Sequence, residues 1–218
     1  TIDDLFACNC TRETYEYLDQ LLHDPANDHL SAADIQQAIR GRNLAAIEGL
    51  FTETAKEYAL TYDHADDPSI QCEYFGAFRT VLHNDPILIE QYEDHISIKG
   101  EDMTSDRIIY TDGRSHPENE TPSPLGHSIG WYEGSTLVVE TINVSANIAE
   151  DNLPIHNSDE ASSIERYTRS EDGSRLHMEF TLIDPVMFNE PLVLERTRLL
   201  TPEVDLLDAP CESISGEF

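Results

Sequence analysis

Lysine is nearly absent from this chain: Lys56 and Lys99 are the only two, and with arginine they make 13 basic residues against 43 aspartates and glutamates. The formal net charge is −30 over 218 residues, so a polyanion such as nucleic acid, or an anionic membrane, is repelled. Long apolar runs are missing too, and no stretch approaches the roughly twenty residues of a membrane span. There is one tryptophan, and there are four cysteines with no recurring C-x-x-C pair, which excludes the usual zinc framework. No glycine-rich phosphate loop and no dinucleotide fingerprint occurs, so no nucleotide or nicotinamide cofactor is expected. The H-x-x-x-H pair of many zinc enzymes is missing, and Asp102, Asp106, Asp112 and Glu118 do not reproduce a calcium loop. No metal is expected on those grounds. A G-x-S-x-G elbow is lacking as well, which weakens Ser128 as a hydrolase nucleophile.

What remains is long enough to bury a substantial core. The acidic residues are scattered rather than gathered in a tail, as on the evenly solvated surface of a salt-adapted protein. Four cysteines allow three complete pairings. A Cys72–Cys211 bridge is favoured, with unpaired buried thiols as the alternative, while Cys8 and Cys10 read as too close for an ordinary bridge between themselves. The chain starts at Thr1 with no basic, apolar leader, as expected of an exported protein whose signal has been removed.

Two textures divide the sequence, predicting a helical extension over 1–65 packed on a β domain over 66–218. Tyr15, Leu18, Leu21 and Leu22 share one helical face, Ser31 and Asp34 form a capping box, and Gly41 can end that second helix. Leu44, Ile47, Leu50, Phe51 and Tyr58 then predict a third, amphipathic helix packed against the sheet. Strands are expected near 72–83, 86–92, 94–99, 105–111, 126–133, 135–143, 161–170, 174–183 and 190–200. Gly134-Ser135 and Asp172-Gly173 read as two-residue hairpin turns. The fold class is therefore mainly β: an antiparallel up-and-down barrel, or strongly curled sheet, of eight to nine strands with an N-terminal helical region.

Titratable groups crowd one segment. Asp112, Arg114, His116, His127, Ser128 and Glu133 fall between the strand-like stretches RIIY and TLVVET, and side chains of these types can donate, accept and shuttle protons. On a strand from Gly126 to Glu133, His127, Ile129, Trp131 and Glu133 share a face, opposite Ser128, Gly130 and Tyr132. Inside a barrel, Glu133 would be desolvated, its pKa raised, and an acid beside a histidine base. On the outer face the same residues form a solvated rim. Asp112 and Arg114 can also simply stabilise a turn, and His156, in the loop LPIHNSDE, could complete a cluster of three histidines. Glu165, Glu179 and Glu195 read as cross-strand partners for nearby Arg166, Arg175, Arg196 and Arg198.

The stretch CEYFG at 72–76, RIIYTDGRSHP, GHSIGWYEGSTLVVET, SSIERYTR, TLIDP at 181–185 and Cys211-Glu212 occur in an order that resembles a largely uncharacterised family of exported bacterial proteins with a lipocalin-like β-barrel. The resemblance covers about residues 55–213. Its DGR-x-HP element falls on Asp112, Gly113, Arg114, His116 and Pro117, and its GHS element on Gly126, His127 and Ser128. Ser115, Tyr132 and Ser135 depart from the family's proline, tryptophan and aspartate. The resemblance implies export to the periplasm or beyond and a barrel, but no reaction.

Two functional readings follow. The first is a cofactor-independent acid–base enzyme of isomerase, lyase, cyclase or hydrolase type, acting on a small, mainly apolar substrate. In it His127 is the base, Glu133 or Asp112 the acid or orienting carboxylate, and Arg114 and His116 stabilise developing negative charge, with His156 as a further candidate. Trp131, Tyr132 and Ser128 would contact the substrate. The second is a lipocalin-like carrier, in which Trp131, Tyr132 and Phe180 line the ligand site. The density of titratable groups favours the enzyme. Oligomeric state is left open.

Overall fold

The computed structural model describes residues 8–73, 75–101, 106–118, 121–150 and 155–206. Nine strands form one sheet that curls into a half-barrel, in the order β1-β11-β10-β9-β6-β5-β4-β3-β2. In chain order these are β1 (Cys10–Thr11), β2 (Ile87–Gln91), β3 (His95–Gly100), β4 (Arg107–Tyr110), β5 (His127–Glu133), β6 (Thr136–Ile142), β9 (Ser162–Arg169), β10 (Arg175–Ile183) and β11 (Leu192–Leu199), while β7 (Asn147–Glu150) and β8 (Ile155–Asn157) pair separately. The helices are α1 (Arg12–His23), α2 (Ala32–Glu48), α3 (Glu53–Thr61) and α4 (Ala77–Leu82). Among the described residues no helix is long and apolar enough to cross a membrane.

The expected curled, mainly β sheet is present, but it is mixed rather than antiparallel throughout. β4 runs parallel to β5, with Ile109 opposite Ser128 and Tyr110 opposite Ile129. Parallel neighbours cannot be joined by a tight turn, so the chain must cross from the end of one strand to the start of the next. Residues 111–118 and 121–126 belong to that crossing. Its far end is pinned where Ser123 N–H donates to Asn143 O (2.9 Å) and Ala77 N–H donates to Pro124 O (2.9 Å).

The stretch expected as the first strand, near 72–83, holds α4 instead. AFRTVL has the residues of a strand, yet all six are buried, and packing overrides propensity. Phe78 meets Phe180 edge to face, and Val81 and Leu82 join the core with Ile96, Ile98, Ile109, Met178, Leu192 and Leu194. A helix this short is unstable alone and needs its ends satisfied. Arg196 donates to Leu82 O and His83 O, and Arg198 donates to Val81 O (3.0 Å) and His83 O (2.7 Å), so a buried and a half-buried arginine of β11 hold its last carbonyls.

Further expectations are corrected. Gly41 does not end a helix: α2 continues to Glu48, because Ile35, Ile39, Asn43 and Ile47 keep one face buried straight through it. The third helix starts later than Leu44, at Glu53, where Thr52 Oγ1 accepts from Ala55 N–H. The capping box at Ser31 and Asp34 is present. Gly134-Ser135 is the two-residue turn expected, with Glu133 opposite Thr136, but 170–174 is longer, held by Asp172 bonds to Ser170 and Ser174. The first 65 residues contribute β1 to the sheet and Ile47, Phe51 and Ala55 to the main core, while α1 and α2 share a small core of Leu18, Ile35 and Ile39.

Cys8 and Cys10, judged too close to pair, are bonded to each other with Cα atoms 5.2 Å apart. Two extended residues would span roughly 6.6 Å; the chain bends at Asn9 and brings both side chains to one side. Cys72 is disulfide-bonded, and its expected partner Cys211 lies outside the described residues.

Candidate functional site

Burial alternates along β5 and assigns its faces. Ser128 and Gly130 face the core, so His127, Ile129, Trp131 and Glu133 lie on the outer face of the sheet. The chain after β4 brings His116 to His127 on that face, Nδ1 to Nδ1, at 2.8 Å. The two rings meet edge to face with centroids 5.0 Å apart, and Tyr110 stacks on His127 at 5.3 Å. On the far side of the His116 ring, Nε2 is 3.4 Å from Glu140 Oε2, within ion-pair reach but outside hydrogen-bond geometry. His116 is 15 % exposed and Glu140 40 %, so this group of three sits at the surface without being fully solvated.

Tautomers follow from the geometry. The 2.8 Å contact takes one proton between the two Nδ1 atoms, and the carboxylate beside His116 Nε2 favours the tautomer protonated on that nitrogen. His116 Nδ1 is then the acceptor, His127 Nδ1–H the donor, and His127 Nε2 carries the lone pair. The array reads carboxylate, histidine, histidine.

The other expected site residues are placed differently. Asp112 and Arg114 grip each other, with Arg114 Nη2 2.6 Å from Asp112 Oδ2, and the guanidinium hydrogen bond holds the Asp112 carboxyl down at about 2. Arg114 also lies over the Tyr110 ring at 3.7 Å, which sets it at the edge of the histidine pair. Glu133 is exposed and bonded to Arg166 and to Trp131 Nε1–H, bonds that lower its pKa. The outer-face alternative therefore holds, and Glu133 is an ionised rim residue. Trp131 and Tyr132 are exposed, Tyr132 accepting from Gln91 Nε2 (3.2 Å). Phe180 is a core residue against Phe78.

His156 does not join the pair. It is buried on β8 with its ring 4.0 Å from Tyr58 of α3 and 4.9 Å from Tyr62 just past that helix, and its Nδ1 has no hydrogen-bond partner among the described residues. Burial, opposed by Asp67 and assisted by Arg79, lowers its pKa to about 4.

Ser128 belongs to a buried polar network on the core face. Arg107 makes a two-pronged ion pair with Glu165 (Nη1–Oε2 3.0 Å, Nη2–Oε1 2.7 Å) and donates to Thr141 Oγ1 (2.7 Å), while Ser163 and Tyr167 hydroxyls donate to Glu165. Ser128 Oγ lies 2.9 Å from Thr141 Oγ1. The arginines expected for the strand glutamates are thus not the partners: Glu165 takes Arg107, and Glu179 and Glu195 both take Arg12 from α1.

Sequence reasoning missed Glu140 and Tyr110. The turn at Gly134-Ser135 contained the signal for Glu140, since its register sets His127 against Ile142 and so puts Glu140 on the same face two residues along. Among the described residues no group of three or more histidine, cysteine, aspartate or glutamate side chains is placed to hold a metal ion. No family model, no curated protein and no solved structure matches this chain.

Proposed function

We propose that this protein is an exported, cofactor-independent acid–base enzyme acting on a small, mainly apolar substrate at the outer face of its curled sheet. The supporting observation is the 2.8 Å contact between His116 and His127, backed by Glu140. His127 takes a proton through Nε2, and the resulting positive charge is shared along His116 toward the Glu140 carboxylate. Ile129, Ile142 and Trp131 lie on the same face and supply apolar contact, while Arg114, anchored by Asp112, faces negative charge that develops on the substrate. A net charge of −30 favours a neutral substrate over an anionic one. The membership suggested by the DGR-x-HP and GHS elements, and export with it, belongs to the same proposal.

A carrier needs an apolar cavity on the inner face of the sheet. On that face Ala77, Phe78, Val81 and Leu82 of α4 pack into the core with strand residues, which supports the enzyme over the carrier. Wild type and the His127→Ala variant are to be compared on small neutral esters, lactones, epoxides and enolisable ketones. Turnover of one class should fall about 100-fold or more in the variant while its circular dichroism stays native. Binding without turnover in the wild type would return the protein to the carrier class.

A further inference from the structure

The Cys8–Cys10 bridge closes a loop of a single residue, and such a link removes little freedom from the unfolded chain. General stabilisation is therefore a poor account of it. Its local effect is specific: it fixes Asn9, which is buried and docked on three elements at once. Asn9 Nδ2 donates to Leu82 O at the end of α4 (2.6 Å), Arg196 Nη1 of β11 donates to Asn9 Oδ1 (3.1 Å), and Asn43 Nδ2 of α2 donates to Asn9 O (2.8 Å). Asn43 Oδ1 in turn accepts from Thr11 N–H (2.7 Å). Past this point β1 is held to β11 over only two residues, Cys10 and Thr11. A two-residue edge strand has little sheet pairing of its own, so its docking rests on Asn9 on one side and, on the other, on Arg12, which pairs with Glu179 and Glu195.

We propose that Cys8–Cys10 is a thiol–disulfide exchange site whose reduction releases β1 and Asn9 from the sheet. Cys10 is fully buried and Cys8 only half-buried, which directs an incoming thiolate to Cys8. The thiolate of a soluble dithiol attacks Cys8 Sγ, the Sγ–Sγ bond breaks, and Cys10 leaves as a thiolate. The second thiol of the reagent then displaces Cys8. The reagent is oxidised from two thiols to one disulfide, the protein gains two thiols, and the reagent's two protons end on Cys8 and Cys10. With the bridge open, Asn9 is no longer fixed between its two neighbours, and the two-residue pairing of β1 with β11 gives way and carries Cys10 to solvent. The remaining donors on the end of α4, from Arg196 and Arg198, keep the core closed meanwhile. This site is separate from the histidine pair and does not depend on its chemistry.

The test uses the native protein titrated with dithiothreitol, alkylated at each step and mapped by mass spectrometry, with amide exchange followed in parallel. Cys8 and Cys10 should be modified at reductant concentrations that leave Cys72 protected. Exchange at Thr11 should rise about tenfold or more, while exchange at Phe180 stays unchanged. The Cys8→Ser, Cys10→Ser double variant should show the same fast Thr11 exchange without any reductant. Opening of Cys8–Cys10 only together with Cys72, or a Thr11 amide in the double variant as protected as in wild type, overturns the proposal.

Discussion

Gly126 begins the strand that presents His127, and no other residue fits there. Its φ is +59°, and a Cβ would lie 2.4 Å from Ile142 O and 2.7 Å from Val144 Cγ2. The first of these is backbone at the end of β6, which cannot yield without moving that strand. Gly126→Ala should therefore cost about 3 kcal/mol or more in denaturant unfolding, and it should weaken the His116–His127 contact by displacing the start of β5. An unchanged midpoint would mean that this turn relaxes freely. The buried pair of Arg107 and Glu165 makes a different demand. Removing one partner leaves a charge with nothing to neutralise it, so Glu165→Ala should cost about 3–5 kcal/mol, whereas the Arg107→Met, Glu165→Leu double variant should recover much of that loss. If the double variant is less stable than the single, the network contributes net stability rather than specificity. At this scale the sequence exposes residue types but not their partners. Asp112 and Arg114 are two apart and their pairing is readable from the turn, whereas Arg107 and Glu165 meet across four strands, and only the sheet order brings them together.

Between elements, the contact of β8 with α3 makes a pH-dependent joint. His156 sits neutral between Tyr58 and Tyr62, with Asp67 and Arg79 as its charged neighbours, and its pKa is lowered from about 6.5 to about 4 by burial. A histidine lowered in the fold binds its proton more tightly when unfolded, so stability rises with pH wherever the unfolded chain is the more protonated. The stability from this site is complete above about pH 6.5 and is lost as pH falls through about 4. Unfolding curves between pH 7 and pH 4 should show that slope in the wild type and a shallower one in His156→Gln. Equal slopes would remove His156 as the cause. The joint was not legible beforehand, because LPIHNSDE has the polar look of a loop and β8 is only three residues long. The same limit explains α4: the six-residue segment AFRTVL, with Phe, Thr and Val among its residues, gives no helical period long enough to outvote its strand propensity. Strands β2 to β6 and β9 to β11, each bounded by turn residues, were legible to within a residue or two. The parallel step from β4 to β5 was not, since alternation alone does not give direction.

For the molecule as a whole, charge is the dominant fact. Of 13 basic side chains, Arg79, Arg107 and Arg196 are buried, the first two against Asp67 and Glu165 and the third against carbonyl and amide oxygens. Those cations do little for the exposed carboxylates, so repulsion at the surface is left largely to dissolved counterions. The screening length falls from about 10 Å at 0.1 M salt to about 3 Å at 1 M. Folding gathers the carboxylates closer than the unfolded chain does, so screening should favour the fold. The melting temperature at pH 7 is expected to climb by several degrees between 20 mM and 1 M sodium chloride. Salt can also strengthen apolar burial, and that contribution does not depend on carboxylate ionisation. Repeating the series near the sequence pI of about 4.3 separates the two, because there the acidic groups are partly protonated and the repulsion is reduced. A salt effect that shrinks at the lower pH assigns the stabilisation to charge screening; one of equal size at both pH values assigns it to the core, and the acidic surface then has no part in holding the fold.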